Sequence, residues 1–351
     1  MSGRDAEYQN RADGNTQIAF VGFRGHQGSE YRSAAELLRH VNVVGLVDTE
    51  VAAHEERPGR GSPPTFRSTT ALLEAVVPDV AVVTVPHDQH YRVIAELVAA
   101  GCHVVVEKPL VPDVAEAERL YELSWRSNRS IVTLTQRPLR PEFRLLETLL
   151  PRVGERYWAQ WTYNLAFPAV TTGWRARRRQ ARGGVFLDMG YHQIDVLCRL
   201  FGPARVTAAS KHFRYPESQR EDLEDLMSVS LEFERGGMSS HLLLSRHGAG
   251  KSETLEIHGT EGVIQLDARH ARVTLFGRDG SVLDQYAGPD LATDSPAVVL
   301  GYYLELISDR QAALAHLRHH CSLVALCHEV YDAAARAAVG HHQSIERTES
   351  T

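Results

Sequence analysis

Val104-Val105-Val106-Glu107-Lys108-Pro109 is a run of β-branched residues that ends abruptly in a charged pair and a proline. The run predicts a buried strand, and the charges after it predict where the strand ends. In open α/β sheets, ligands bind at the edge where the carboxyl ends of the strands meet. The sequence therefore predicts that Lys108 lies at a ligand-binding edge.

The residues before this strand repeat a strand, helix, strand pattern. Strands are predicted at Ile18 to Val21, Val43 to Val47 and Val80 to Val85, and helices over Ser33 to Leu38 and Ile94 to Ala100. Repeated units with nearly continuous Val and Ile strands are typical of a parallel sheet that is buried on both faces. The predicted fold class is α/β, with a doubly wound, Rossmann-type nucleotide-binding domain over residues 17–139.

The pattern changes after Pro141, where strands follow one another without helices between them. They are predicted at Arg156 to Tyr163, Val229 to Phe233, Ser239 to Leu244, Thr254 to His258 and Val263 to Leu266. Clustered strands favour an antiparallel sheet, and Gly259-Thr260-Glu261-Gly262 predicts a hairpin turn. The second domain is therefore predicted to be α+β, over residues 140–340, with a closing helix over Ala312 to Ala338. Polar, flexible tails are expected at residues 1–16 and 341–351.

Composition and charge restrict the class of protein. A chain of 351 residues that is 43% hydrophobic and 23% charged is long enough for two globular domains. Its net charge of -6 argues against a nucleic-acid partner, and no apolar run approaches the roughly 20 residues that span a membrane. The cysteines, which form no CxxC pair, predict neither a disulfide framework nor a zinc knuckle and favour a reducing cytoplasm. They are Cys102, Cys198, Cys321 and Cys327.

A glycine-rich turn, Gly22-Phe23-Arg24-Gly25-His26-Gln27-Gly28, separates the first predicted strand from a helix. Glycines there let backbone N–H groups approach a pyrophosphate, which a helix N-terminus also attracts. The spacing is G-x-x-G-x-x-G rather than G-x-G-x-x-G, so a loop that merely turns is the alternative.

Asp48 follows the second predicted strand, where a carboxylate can bind the ribose of a dinucleotide. It would accept hydrogen bonds from the ribose hydroxyls and repel a 2′-phosphate, which predicts NAD as the cofactor. Arg24 could instead reach a phosphate, which keeps NADP open. The alternative for Asp48 is a loop-capping role.

Further segments occur in a specific order after the glycine turn. They are Thr84-Val85-Pro86-His87-Asp88-Gln89-His90, Gly101-Cys102-His103-Val104-Val105-Val106-Glu107-Lys108-Pro109, Trp174-Arg175, Gly183-Gly184-Val185-Phe186-Leu187-Asp188-Met189-Gly190-Tyr191-His192-Gln193-Ile194-Asp195 and Glu256-Ile257-His258-Gly259-Thr260-Glu261-Gly262. In this order and spacing the chain resembles the glucose-fructose oxidoreductase, inositol dehydrogenase and rhizopine-catabolism (Gfo/Idh/MocA) family, from Gln17 to about Ala338.

The resemblance implies a Rossmann domain followed by a domain whose large, open and mostly antiparallel sheet forms an oligomer interface. A homo-oligomer, dimer or tetramer, through the C-terminal sheet is therefore expected. The implied chemistry is nicotinamide-dependent oxidation or reduction, commonly of a secondary alcohol on a sugar or cyclitol. Three positions depart from the family pattern: Arg24, His87 and Arg182.

The resemblance also assigns site residues. Lys108 matches the family's Glu-Lys-Pro lysine, and Asp188 and His192 match its Asp-x-x-x-His pair. Cofactor contacts are expected from Gly22, Phe23, Arg24, Gly25, His26, Gln27, Gly28, Asp48, Thr84, Val85, Pro86, His87, His90, Glu107 and Lys108. For the segment His87 to His90, the alternative is a loop in which Asp88 caps the next helix.

These residue types suit hydride transfer, in which a proton must leave oxygen while a hydride leaves carbon. A histidine such as His192 exchanges protons close to neutral pH, and Lys108 would supply a cation beside the reacting oxygen. If Leu187 to Arg199 is helical, Asp188 lies on the same face as His192. The alternatives are an ordinary surface stripe or a metal site that also uses Asp195, although no metal is predicted.

A run of arginines precedes the predicted catalytic helix: Arg175, Arg177, Arg178, Arg179 and Arg182. Guanidinium groups suit carboxylate and phosphate recognition, which suggests an anionic substrate such as a uronate, a phosphosugar or a nucleotide sugar. The expected substrate contacts are Lys108, Trp174, Arg175, Arg178, Arg179, Asp188 and His192. The alternative is a solvated basic loop or a subunit contact.

The sequence thus predicts an NAD(P)-dependent dehydrogenase or reductase that acts on a small sugar-like alcohol or ketone. Two other classes stay open. One is a glycoside-cleaving enzyme in which NAD is oxidised and reduced within one turnover. The other is a non-catalytic sensor that has kept the cofactor pocket.

Overall fold

The computed structural model describes residues 15–51, 62–167, 169–234, 236–287 and 295–349. Two compact units divide these residues. The first comprises the residues up to Leu134 together with 295–321, and the second comprises the remainder. The sequence predicted a single boundary at residue 139, whereas packing assigns a later segment to the first unit as well.

The elements before residue 135 alternate strands and helices. In chain order they are β1 (Thr16–Val21), α1 (His26–Ala35), β2 (Val41–Val47), β3 (Thr65–Phe66), α2 (Thr69–Ala75), β4 (Val80–Val83), α3 (His90–Ala99), β5 (His103–Glu107), α4 (Val114–Ser127) and β6 (Ile131–Leu134).

The later elements are mostly strands, between helices at either end. They are α5 (Pro141–Leu149), β7 (Arg156–Ala166), α6 (Arg178–Ala181), α7 (Tyr191–Phe201), β8 (Ala204–His212), α8 (Pro216–Arg220), β9 (Leu226–Phe233), β10 (Ser239–Ser245), β11 (His247–Gly259), β12 (Gly262–Asp267), β13 (Arg272–Gly277), β14 (Val282–Tyr286), α9 (Pro296–Ser308) and α10 (Arg310–Glu349). Residues 1–14 of the predicted N-terminal tail lie outside the described residues. The predicted C-terminal tail is helical up to Glu349, where α10 ends.

Local sequence explains where several helices begin. The side chains of Ser68 and Asp113 accept hydrogen bonds from the backbone of the first turns of α2 and α4. Pro141, Pro216 and Pro296 each occupy the first position of a helix, where the missing N–H is not needed. No helix in the described ranges combines the length and the apolar character needed to cross a membrane.

The first unit contains a six-stranded sheet in the order β3-β2-β1-β4-β5-β6, with every neighbouring pair parallel. All four residues of β4 are fully buried, although alternate residues of a strand point to opposite faces. Both faces of the sheet are therefore covered. The predicted doubly wound parallel sheet is confirmed.

The strand register places four connecting residues at one edge of this sheet. Val21 at the end of β1 lies opposite Val47 and Val83, and Val83 lies opposite Val106. The chain continues beyond these strands into Gly22, Asp48, Thr84 and Lys108. Because the strand order reverses between β1 and β4, this edge is the topological switch point where such folds bind ligands.

Residues 295–321 cover the edge strand β6, which explains why they belong to the first unit. The Ser130 hydroxyl donates to the backbone oxygen of Ile307 at 2.9 Å. The His316 Nε2 atom lies 3.1 Å from both the backbone nitrogen and the backbone oxygen of Thr133. An edge strand presents backbone groups that need such partners.

The second unit contains an eight-stranded sheet in the order β14-β13-β12-β11-β7-β10-β9-β8. All neighbouring pairs are antiparallel except β7 and β10, which are parallel. The predicted large, open and mostly antiparallel sheet is therefore confirmed. The predicted hairpin turn is also present, since Gly259 pairs with Gly262.

One face of this sheet carries the apolar core of the second unit. Ala159, Trp161 and Tyr163 of β7 are buried, and Trp161 stacks on Phe143 of α5 with ring centroids 5.8 Å apart. The residues between them, Gln160 and Thr162, point to the other face and are more accessible. The sheet therefore has one apolar face and one mainly polar face.

Candidate functional site

The glycine turn after β1 has a shape that only glycine allows at its two ends. Gly22 adopts φ +87°, and a Cβ atom there would lie 2.9 Å from the backbone oxygen of Thr84. The Thr84 hydroxyl donates to the Gly22 oxygen at 3.0 Å. A Cβ atom on Gly28 would overlap the same Gly22 oxygen. The turn is thus closed tightly against the end of β4.

The start of α1 fits a phosphate group. Its N-cap residue, Gly25, has no side chain that could cap the helix, and its first turn contains no acidic residue. The first N–H groups of a helix lack partners within the helix, and they favour an anion together with the helix dipole. These backbone groups would hold the pyrophosphate of a nicotinamide cofactor.

Asp48 holds the turn and keeps acceptor capacity. One carboxylate oxygen accepts the Arg24 backbone N–H at 3.2 Å, and the other accepts the Glu50 N–H at 3.1 Å. The loop-capping role is therefore real. A carboxylate has about four lone-pair positions, so two further hydrogen bonds from a ribose are compatible with it.

Glu107 is the last residue of β5 at the same edge, and Lys108 follows it. The Glu107 side chain is buried, and one of its oxygens accepts the Lys108 backbone N–H at 3.0 Å. Its other oxygen lies 3.5 Å from the Tyr31 hydroxyl of α1. The Glu107 carboxylate therefore fixes the backbone from which the Lys108 side chain extends.

His90, predicted to contact the cofactor, is fully buried. It contacts the backbone of two segments, one after β4 and one after β5. Its Nδ1 atom lies 2.9 Å from the Pro109 oxygen, and its Nε2 atom lies 3.1 Å from the Val85 oxygen. Burial lowers the pKa of His90, although the surrounding carbonyl oxygens oppose that shift. His90 thus positions the loops that carry Val85 and Lys108. His87, also buried, packs edge-on against its ring.

In the second unit, a buried carboxylate, that of Glu224, packs against the Gly183-Gly184 pair before the predicted catalytic helix. Glu224 accepts the backbone N–H of Gly184 at 3.0 Å, that of Phe186 at 2.9 Å and the Tyr331 hydroxyl at 3.0 Å. A Cβ atom on Gly183 would overlap the Tyr331 hydroxyl, and one on Gly184 would overlap Glu224. Burial raises the pKa of Glu224, and these hydrogen bonds oppose the shift. The Gly-Gly motif therefore makes room for the group that anchors the helix start.

The predicted helix over Leu187 to Arg199 begins with a π-helical turn, Phe186–Gly190, which continues into α7. Such turns occur frequently at functional sites. Asp188 lies within the π-helical turn and is 19% exposed, and His192 lies in the first turn of α7 and is 8% exposed. The two predicted catalytic residues are therefore on adjoining turns of one continuous helix.

Two arginines contact Asp188. Arg246, which is only 2% exposed, donates from Nη2 to one carboxylate oxygen at 3.0 Å and from Nη1 to the Thr171 hydroxyl at 3.0 Å. The Arg175 Nε atom lies 3.6 Å from the other Asp188 oxygen. The negative charge of Asp188 is therefore stabilised by two guanidinium groups. Sequence reasoning missed Arg246, because the junction between β10 and β11 that carries it has no motif.

A buried polar network holds the residue next to His192. The Gln193 side chain donates to a Glu253 oxygen at 2.9 Å. Arg137 binds both Glu253 oxygens, at 2.9 and 3.0 Å, and its guanidinium lies over the Tyr163 ring. Removing one partner of such a buried ion pair strongly destabilises a protein. Because Gln193 is bonded to this pair, α7 has little freedom to shift against β11. No sequence pattern indicated this network.

Asp195 lies deeper in the second unit than the predicted pair. It is fully buried, and it accepts a hydrogen bond from the Arg199 Nε atom at 2.8 Å. Across the described part of the chain, no three His, Cys, Asp or Glu side chains are grouped as ligands for a metal ion.

The predicted arginine run separates into different environments. The Arg178 guanidinium donates to the Asp222 backbone oxygen at 2.8 Å and lies over the Tyr331 ring, so it holds two segments of the chain together. Arg175 stacks on Trp174 at 4.3 Å from the ring centroid. Arg179 and Arg182 are exposed.

Two family models match the chain. A model described as the oxidoreductase family, NAD-binding Rossmann fold, matches residues 16–134, and the GFO/IDH/MocA C-terminal domain matches residues 151–265. The fold and the glycine turn therefore define a dinucleotide-binding Rossmann protein. The chain belongs to the Gfo/Idh/MocA family, as its motifs predicted, and its first unit contains the family's NAD-binding domain.

Curated relatives match about half of the chain. The UDP-kanosamine synthase oxidoreductase subunit of Amycolatopsis mediterranei is 34% identical over 167 residues, 47% of this chain and 46% of that protein. The scyllo-inositol 2-dehydrogenase (NADP(+)) of Bacillus subtilis is 25% identical over 185 residues, 52% of this chain and 50% of that protein. The chain thus spans about half the length of these relatives.

Solved structures share the fold along nearly the whole chain. An inositol dehydrogenase homolog complexed with NAD+ from Azotobacter vinelandii has a TM-score of 0.77 and 20% identity, covering 94% of this chain and 97% of that one. The WlbA dehydrogenase from Bordetella pertussis, in complex with NADH and UDP-GlcNAcA, has a TM-score of 0.74 and 18% identity, covering 92% and 97%. At this identity the likeness concerns the fold alone.

The burial of His90 predicts a pH-dependent stability. Because its folded pKa lies below the value of about 6.5 in the unfolded chain, the unfolded state binds more protons, and stability falls as pH drops below that value. The contribution is complete above about pH 6.5, and the slope below it approaches about 1.4 kcal/mol per pH unit. Urea unfolding between pH 5 and 8 should show a smaller acid loss in His90→Gln than in the unchanged protein. His40→Gln, at an exposed position, is the control, and equal slopes in all three proteins would contradict the assignment.

Proposed function

We propose that this protein is an NAD(P)-dependent oxidoreductase that transfers a hydride between nicotinamide and a secondary alcohol or ketone of a sugar, cyclitol or related compound. The observation that carries the proposal is the position of Lys108 at the same sheet edge as the glycine turn and Asp48. Family membership supports it. So do relatives named as scyllo-inositol 2-dehydrogenase and 1,5-anhydro-D-fructose reductase.

Lys108 is proposed to bind the reacting oxygen. When bound, the nicotinamide ring supplies the hydride acceptor or donor, so the protein must manage the proton and the charge on oxygen. A lysine ammonium donates hydrogen bonds to an oxygen that becomes negative as the reaction proceeds. The buried Glu107 supports this role by fixing the Lys108 backbone.

His192 is proposed to take the proton from the alcohol and to return it in the reverse direction. Asp188 is proposed to orient the reacting groups and to tune their charge. Its own negative charge is already stabilised by Arg246 and Arg175, which favours a fixed electrostatic role over proton transfer. Glu224 and the Gln193 network support both residues by holding the two ends of this helical segment.

The proposed cofactor preference is NAD over NADP. Asp48 has acceptor capacity for ribose hydroxyls, and its charge would oppose a 2′-phosphate. Arg24 is exposed and lies over the Phe23 ring, which keeps it within the same turn.

The substrate is further proposed to carry an anionic group. The support is the position of Arg175 and Arg246 beside Asp188 in a protein whose net charge is -6.

A homo-oligomer, dimer or tetramer, is proposed to form through the mainly polar face of the eight-stranded sheet. Leu243 on β10 lies opposite Thr162 on β7 and Ser228 on β9, and these residues face away from the core residue Leu242. The Leu243 side chain is only partly buried within the chain. An accessible sheet face with interspersed apolar residues suits association with a second copy.

The proposed activity is tested by replacing Lys108, the residue that is proposed to bind the reacting oxygen. A screen of sugars, cyclitols, uronates and nucleotide sugars, followed through NADH and NADPH absorbance, identifies a substrate first. Lys108→Met should then lower kcat by about 100-fold or more, because the charge on oxygen loses its stabilising cation. NAD affinity measured by calorimetry should change little.

Lys251→Met, at an exposed position in β11, is the matched control and should retain full turnover. Near-normal turnover in Lys108→Met would refute the proposed role. Release of a sugar without a net change in NADH would favour the glycoside-cleaving alternative over the dehydrogenase.

The cofactor proposal is tested at Asp48. Asp48→Ala should reduce the ratio of kcat/KM with NAD to kcat/KM with NADP by about tenfold, since one charged hydrogen-bond acceptor is lost. Glu50→Ala removes an exposed carboxylate two residues away and should leave the ratio unchanged. A preference that survives in Asp48→Ala would assign the discrimination to another residue.

The oligomer proposal is tested by light scattering after gel filtration. The unchanged protein should elute as a dimer or tetramer, and Leu243→Arg should shift it toward the monomer by placing a charge in the contact. Leu37→Arg, at a 73% exposed position of the first unit, should leave the mass unchanged. A monomeric unchanged protein rules the proposal out.

A further inference from the structure

A cavity of about 490 Å³ lies within the second unit. Its wall consists of the loop from Val170 to Arg177, helix α8 with the residues that follow it, and Arg246 between β10 and β11. The volume falls in the range of about 300 to 1,000 Å³ that small-molecule sites occupy. The cavity can therefore hold a ligand of the size of a sugar derivative.

Four arginines line this cavity: Arg175, Arg177, Arg220 and Arg246. Two carboxylates, Glu217 and Glu221, also line it, so the lining carries two positive charges in excess. Each carboxylate already has a partner, because Glu217 lies 3.4 Å from Arg220 and Glu221 accepts the Arg178 backbone N–H at 2.9 Å. A concave wall with an excess of positive charge raises the local potential, which favours an anion.

Arg246 supplies a fixed positive charge in the wall. Its guanidinium is held on two sides by Thr171 and Asp188, and its buried Nε atom has no hydrogen-bond partner among the described residues. A buried guanidinium with an unsatisfied donor is unfavourable, and a nearby anion offsets that cost electrostatically. A negative ligand in the cavity would lie next to this buried guanidinium.

Arg177 and Arg220 supply the accessible donors. Arg177 is exposed, and its side chain makes no ion pair within the part of the chain that the structure describes. Among the described residues, the ion pair of Arg220 is the weak, solvent-exposed one with Glu217. Both guanidinium groups can therefore turn to a carboxylate or phosphate and bind it through two parallel N–H donors.

We propose that this cavity is the subsite for an oxyanion, a carboxylate or a phosphate, on the sugar-like substrate. The inference rests on the proposed function. Arg246 lines the cavity and also contacts Asp188. A substrate group bound in the cavity is therefore separated from Asp188 by the Arg246 side chain alone. Arg178 and Arg179, which the sequence suggested as substrate contacts, do not line the cavity.

Isothermal titration calorimetry tests the proposal without relying on turnover. The probes are D-glucuronate for a carboxylate, D-glucose 6-phosphate and uridine diphosphate for a phosphate, and D-glucose as the neutral reference, all with excess NAD present. At least one anionic probe should bind more tightly than D-glucose. Its Kd should rise about tenfold or more in the double variant Arg177→Ala, Arg220→Ala. The responding probe identifies the oxyanion.

Two further variants make the result specific. Arg278→Ala removes an exposed arginine of the same unit that does not line the cavity, and it should bind the probe like the unchanged protein. Arg177→Lys keeps the charge but loses the paired donors. Its Kd should therefore lie between that of the unchanged protein and that of the double alanine variant. Circular dichroism checks that each variant is folded.

The outcome separates this inference from the proposed function. If anionic probes bind no more tightly than D-glucose, or bind independently of Arg177 and Arg220, the subsite is refuted even where a neutral sugar is oxidised. If arginine-dependent binding is present but no substrate changes NADH or NADPH, the subsite stands and the oxidoreductase proposal fails.

Discussion

The carboxylate of Glu224 controls where the helix with Asp188 and His192 begins. It accepts two backbone N–H groups and a tyrosine hydroxyl, while its own backbone oxygen accepts the Val185 N–H at 2.8 Å. Two consecutive glycines are needed because any Cβ atom would occupy the space of these groups. The same continuous helix carries Asp188, which contacts Arg246 and Arg175, and Gln193, which contacts Glu253. The Gly183-Gly184 motif is therefore a tightly packed junction.

Each unit prepares its own part of the chemistry. In the first unit, the carboxyl ends of neighbouring strands are aligned, so the glycine turn, Asp48 and Lys108 lie at one edge. The buried His90 contacts the two loops there. In the second unit, Arg246 forms an ion pair with Asp188 and also lines the cavity. The residues proposed to act on the substrate thus extend from buried, hydrogen-bonded supports, which limits their motion.

The sequence predicted the sheet architectures and the positions of Lys108, Asp188 and His192 in the fold, because these depend on local periodicity and on recognisable motifs. It missed the return of Pro296–Ser308 to β6, since that pairing joins residues more than 170 positions apart and leaves no local pattern. Glu224 and Arg246 were missed for the same reason: each acts on a residue tens of positions away. The arginine run was recognised, but only the folded chain separates Arg178, which holds the backbone, from Arg177, which faces the cavity.

The contact between His316 and β6 also sets an order of events during synthesis. Residues 295–321 leave the ribosome only after the whole of the eight-stranded sheet has been made, so the edge of β6 stays uncovered throughout that time. An open parallel edge is a surface on which nascent chains can pair wrongly. The last step in completing the nucleotide-binding unit is therefore postponed until the intervening strands have been made, and those strands form an insertion between its two parts.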